Sequence, residues 1–124
     1  MGTVSDTVKN QMLDGLCRNT AFQIAAVHVQ LHTGSPGSAG TSNVASNTTR
    51  KQATFGTAAA SGAISNTVAV EWDDVPATET YTHASLWSAS TGGTFLGSDD
   101  LSSQAVMTAG DTFRIPAGDI DITL

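Results

Sequence analysis

A chain of 124 residues has room for one hydrophobic core and little else, which excludes two full domains. Charged residues make up only 13% of it, while 13 serines, 18 threonines, 12 glycines and 17 alanines supply a surface of small neutral groups. Five Lys and Arg against 11 Asp and Glu give a net charge of −6, so binding to a nucleic-acid duplex would work against phosphate repulsion. The lone Cys17 cannot form an internal disulfide, and the start has no basic region leading into an apolar run. Folding in a reducing cytoplasm is the expectation. The longest apolar stretch, residues 21–31, is interrupted by Gln23, His28 and Gln30 and is too short to insert into a membrane.

Along the chain, Val4, Val8, Met12, Leu13 and Leu16 recur at helical spacing, with Ser5 placed to cap the N-terminus and Asp6 in the first turn. This predicts a short amphipathic helix over Ser5–Cys17, stopped by Gly15, Asn19 and Thr20. A lone helix of that length is marginal in water, so its stripe must lie on something. It either caps the chain's own sheet, with Cys17 buried beneath it, or docks on a neighbouring subunit.

From residue 21 the period becomes two. In Ala26–His32, Val27, Val29 and Leu31 alternate with His28, Gln30 and His32, the pattern of a strand buried on one face. Similar alternation predicts strands over 63–72, 82–87 and 119–124, and weaker strands fit 51–55, 94–97, 101–107 and 112–115. Gly, Pro, Ser and Asp turn signals separate them. The expected fold is all-β: an antiparallel two-sheet β-sandwich of about eight strands with one short N-terminal α-helix. Residues 1–124 form a single domain in this reading, with 1–18 a helical arm and 21–124 the sandwich. Phe55, Trp72, Leu86, Trp87, Phe95, Phe113 and Ile115 supply its core or sheet rim. Residues 33–49, rich in Gly, Ser, Asn and Thr, predict a long exposed loop, either a partner contact or a flexible connection.

No constellation for catalysis emerges. His28 and His32 lie about 13 Å apart along a strand, too far to share a zinc ion. There is no Gly-x-Ser-x-Gly elbow or phosphate-binding loop, and no cofactor is expected. Asp73–Asp74 and Asp99–Asp100 read as divergent carboxylates at strand ends, solvated or loosely calcium-binding. Trp72, Tyr81 and Trp87 either fill the core or form a sugar-stacking platform.

The order of segments is familiar. Asn19-Thr20-Ala21-Phe22, the run Val27–Thr41, Arg50-Lys51-Gln52-Ala53-Thr54-Phe55, Ala60–Asn66, Thr82–Trp87, Gly92–Gly97 and the ending Phe113–Leu124 together resemble small virion structural proteins of tailed bacteriophages, particularly those infecting actinobacteria. Members of that family are labelled minor tail or tail-fibre-like proteins, and similar small β proteins decorate heads. No catalytic residues belong to the pattern, which implies a non-enzymatic virion component. Its acidity favours the capsid exterior, as a decoration or cement protein on the major capsid protein or other virion proteins, in a closed homo-oligomer such as a trimer. A minor tail or fibre protein touching the host surface is the alternative, and a carbohydrate-binding module a further one. The expected partner contacts are Val4, Val8, Met12 and Leu16 on the helix, Pro36 in the loop, and the cations Arg50 and Lys51.

Overall fold

A computed structural model describes residues 3–124. The elements in chain order are β1 (Thr3–Val4), α1 (Asp6–Cys17), β2 (Val27–His32), β3 (Lys51–Ala53), β4 (Ala63–Ser65), β5 (Val70–Trp72), β6 (Glu79–Trp87), β7 (Phe95–Met107), β8 (Phe113–Ile115) and β9 (Asp121–Thr123). All pairings are antiparallel. A five-stranded sheet runs β1-β7-β6-β2-β3, and two two-stranded ribbons, β4-β9 and β5-β8, cover one of its faces. The result is an all-β sandwich with one short helix.

The core follows from strand alternation. Val29 and Leu31 of β2 lie opposite Leu86 and Ala84 of β6, so all four share one face of the sheet, and all four are buried. The β5-β8 ribbon meets that face through aromatic rings. Phe113 stands edge-on to Tyr81 at 5.2 Å and tilts against Trp72 at 5.7 Å. Trp72, Leu86, Phe113 and Ile115 therefore belong to the main core, with Phe55 packed at its margin. Trp87 and Phe95 pair at 5.4 Å but stand outside that cluster. Trp87 follows Leu86 on the strand, so alternation turns it to the opposite face of the sheet.

Several expected strand limits change for identifiable reasons. The run 63–72 divides into β4 and β5 because Asn66 interrupts it with hydrogen bonds that no ladder could supply. Its side-chain oxygen accepts from the Gly118 and Ile120 amides at 3.0 and 2.9 Å, and its amide nitrogen donates to the Val68 and Pro116 carbonyls at 2.8 and 3.3 Å. Conversely, the segments 94–97 and 101–107 join into one strand. The register of β7 breaks between Asp100 and Ala105, opposite Thr82 of β6, which bends the strand without ending it. Asp99 and Asp100 thus lie within β7 and not at a strand end.

Asn66 is nearly fully buried with every side-chain hydrogen-bonding group engaged. Replacing it with alanine takes the side-chain acceptor from the buried Ile120 amide and removes the links to Val68, Pro116 and Gly118, and Asn66→Ala should cost about 2–4 kcal/mol in urea unfolding at pH 7.

Candidate interaction surfaces

Two surfaces gather the residues expected to contact partners. The first is the junction of α1 with the sheet. Ser5 starts the helix in extended conformation (φ −65°, ψ 155°), and its Oγ accepts from the Val8 amide at 3.3 Å. The same residue ties the helix to β7: its amide donates to the Leu96 carbonyl at 2.8 Å and its hydroxyl to the Phe95 carbonyl at 2.9 Å. At the far end Asn19 takes the left-handed conformation (φ 52°), a backbone geometry that asparagine tolerates and that stops a helix.

Anchored this way, the helical stripe divides. Val4, Val8 and Met12 turn inward with Leu86, Leu96 and Ile122 around an apolar cleft of about 300 Å³. Val8 is 6% exposed, so in this conformation it packs within its own chain and offers no side chain to a partner. Leu16 is 80% exposed and Leu13 is also open to solvent. These two leucines, with Phe22 and Leu124, are the apolar side chains this end of the molecule presents. Cys17 is exposed too, contrary to the burial expected from its place on the helix. The helix turns it away from the stripe that Val8 and Met12 bury.

The second surface is the outer face of the five-stranded sheet. The sequence predicts this face open to water and residues 33–49 as an exposed loop; most of that segment is exposed, but part of it lies across the face and covers it. The Thr33 amide donates to the Asn43 carbonyl at 2.9 Å, the Ser42 amide to the Pro36 carbonyl at 2.9 Å, and the Ala45 amide to the Leu31 carbonyl at 3.1 Å. Pro36 and Gly40 become buried, and so do Gln30 and His32 of β2, whereas Ala45 joins the inner core and the Thr49 carbonyl accepts from the Trp72 indole N–H there at 2.8 Å. Pro36 is therefore an internal packing residue here and does not project from a loop tip. At Gly40 the backbone lies in the left-handed region (φ +76°), and a Cβ there would stand 2.4 Å from the Phe95 ring.

Beneath this cover lies a polar and aromatic layer. The Trp87 indole N–H donates to Ser85 Oγ at 2.8 Å, and His32 Nε2 is 2.7 Å from the same oxygen. His32 Nδ1 reaches the Ser42 carbonyl at 2.8 Å. Burial lowers the His32 pKa, against the raising effect of the Ser42 and Asn43 backbone, so the ring is neutral at pH 7. The Arg50 guanidinium stacks 4.2 Å above the Trp87 ring and donates to the Ala89 and Gly92 carbonyls at 3.0 and 2.7 Å and to Gln30 Oε1 at 3.3 Å. Arg50 is thus engaged within its own chain. Lys51, next to it on the edge strand β3, points to solvent.

The remaining sequence candidates separate in space. His83 pairs with Asp100 at 2.8 Å, and its Nδ1 sits 2.7 Å from Thr82 Oγ1. Among the described residues, no group of three or more His, Cys, Asp or Glu side chains is placed to hold a metal ion. Trp72, Tyr81 and Trp87 are all buried, so they form no exposed platform on which a sugar could stack. The outer-face layer was not legible from the sequence. The only local signals for it were the Gly-Ser-Pro-Gly spacing, which permits a tight fold-back, and the lack of charge in 33–49.

A family profile described as "Podophage GP4 fiber I protein gp80" matches residues 3–123, from β1 to the last residue of β9. A search of curated proteins gives no match.

The tight approach at Gly40 generates a direct test. Gly40→Ala adds both backbone strain and a clash with Phe95, and should destabilise the protein by about 2–4 kcal/mol. Thermal unfolding followed by tryptophan fluorescence measures the loss, with Gly92→Ala, where a Cβ would meet nothing within 4 Å, as the milder control.

Proposed function

The chain belongs to the family of the podophage GP4 fiber I protein gp80, a family of phage virion structural proteins, and on that premise we propose that it is a non-enzymatic subunit of a virion fibre. The observation that carries this reading is the extent of the match, which takes in the helix, the sheet and both ribbons together. The surface suits the role. Scarce charge and many hydroxyls limit adventitious binding, and a net charge of −6 fits a part of the particle that does not face packaged DNA. In a repeated assembly, a closed homo-oligomer such as a trimer, weak contacts between copies add up to firm attachment. The outward leucines of α1 and the neighbouring Phe22 and Leu124 are the side chains best placed for such contacts, with Lys51 at the opposite sheet edge. Of the residues expected from sequence, Leu16 and Lys51 are the two that stand free to make them.

Acidity by itself supports a second reading, a decoration protein seated on the major capsid protein outside the head. Immunogold labelling of purified particles separates the two. Label on fibres is expected, and label spread evenly over the head faces would replace the fibre reading with decoration.

The contact surface has its own test. The double variant Leu13→Asp, Leu16→Asp changes only exposed side chains and should shift stability by no more than about 0.5 kcal/mol per site. It should nevertheless be lost from assembled particles in a complementation assay, whereas incorporation at wild-type level would exclude the outer face of α1 as the contact.

A further inference from the structure

His32 is fully buried and is the point at which β2, β6 and the 33–49 segment are joined by side-chain chemistry. The hydrogen positions follow from the partners. A carbonyl can only accept, so Nδ1 carries the proton that bonds Ser42. An indole N–H can only donate, so Ser85 Oγ accepts from Trp87 and directs its own hydrogen to His32 Nε2. The network is complete only while His32 is neutral. A second proton on Nε2 would make the ring a donor to Ser85 Oγ and turn the Ser85 hydroxyl hydrogen away, leaving a buried O–H without the acceptor it has in the neutral network.

The Ser42 and Asn43 backbone favours a protonated ring, but burial outweighs it, and among the described residues the two charged groups that act on the ring, His83 and Arg50, oppose the proton. Across the β2-β6 pair stands His83, whose Nε2 already occupies Asp100 of β7. Arg50, leading into β3, brings a positive charge over Trp87, with Lys51 beyond it, and His28 lies four residues away on β2, with Gln30 between. Asp99 follows on β7, and Glu79, at the start of β6, accepts from the Ser46 amide at 2.9 Å. The 33–49 segment itself carries no charged residue.

We propose that His32 is a proton-operated latch: neutral, it holds residues 33–43 against the outer face of the sheet, and protonated, it releases them and uncovers the Trp87–Phe95–Arg50 layer, while Ala45 and Thr49 stay tied to the inner core. The thermodynamic sign agrees. Burial holds the His32 pKa below its ordinary value of about 6.5, so the released state binds the proton more tightly than the latched one. The latched state is at full strength above that ordinary value and weakens as pH falls through the window beneath it. The β4-β9 and β5-β8 ribbons on the far face contribute no group to the network and should keep their protection.

Amide hydrogen exchange on the intact chain, expressed as protection factors from pH 7.5 to 4.5, tests this. Protection at Thr33 and Ser42 should fall by about tenfold or more with acid, while that at Ala45, Asn66 and Leu124 holds. In His32→Gln the acid dependence should vanish, and in His83→Gln it should persist. Should His32→Gln fail to fold, imidazole nitrogen shifts in the unmodified protein serve instead. They should show His32 passing from the Nδ1–H tautomer to the cation as the loop amides open. Acid-independent protection, an acid response that survives His32→Gln or disappears in His83→Gln, or a His32 that stays neutral while the loop opens would each overturn the proposal.

Discussion

At its centre, along β2 and the end of β6, the five-stranded sheet is buried on both faces, and the rest of the molecule is arranged around the difference between those two burials. On the inner face, Val29, Leu31, Ala84 and Leu86 meet the ribbons in ordinary apolar packing, where area removed from water is the main source of stability. On the outer face, the same strands present Gln30, His32, Ser85 and Trp87, which cannot be buried without partners. The 33–49 segment and Arg50 provide them. A polar strand face becomes acceptable in the interior because His32, Ser85, the Trp87 indole and the Gln30 carbonyl oxygen each find a partner there.

This constraint explains why so many small residues are present. Gly40 lets the covering segment pass against Phe95, and Ser85 is small enough to serve Trp87 and His32 at once. It also explains why the scarce cations are not simply surface decoration. Arg50 organises the outer layer, whereas the pairs Lys9–Asp6, Arg18–Asp14 and Arg114–Glu71 lie at solvent-exposed positions where ion pairs contribute little.

The helix is the counterpart at the other end. Ser5 sets its start against β7, which decides which side of a short amphipathic segment is internal. Val8 and Met12 then complete the chain's own apolar cleft, and Leu13 and Leu16 are left outside. That outward remainder is chemically different from the Ser- and Thr-rich surface around it, and the proposed contact between subunits rests on this difference.

Much of the fold could be read from residue order. Period-two alternation marked β2, β6 and β9, the capping Ser5 and left-handed Asn19 bracketed α1, and the turn residues between strands foretold antiparallel pairing, because these are local properties of neighbouring side chains and backbone angles. The absence of charge in 33–49 and the alternation of His28, Gln30 and His32 were equally visible, but their meaning was not. Whether a polar strand face meets water or a covering segment depends on hydrogen bonds between residues far apart in the chain, such as His32 with Ser85 and Arg50 with Gly92. Composition and local pattern by themselves determined an acidic, sparsely charged β protein with a helical arm. Only the tertiary structure decided that Val8, Pro36 and Arg50 turn inward while Leu16 and Lys51 face out, since burial is settled by which distant groups can satisfy one another.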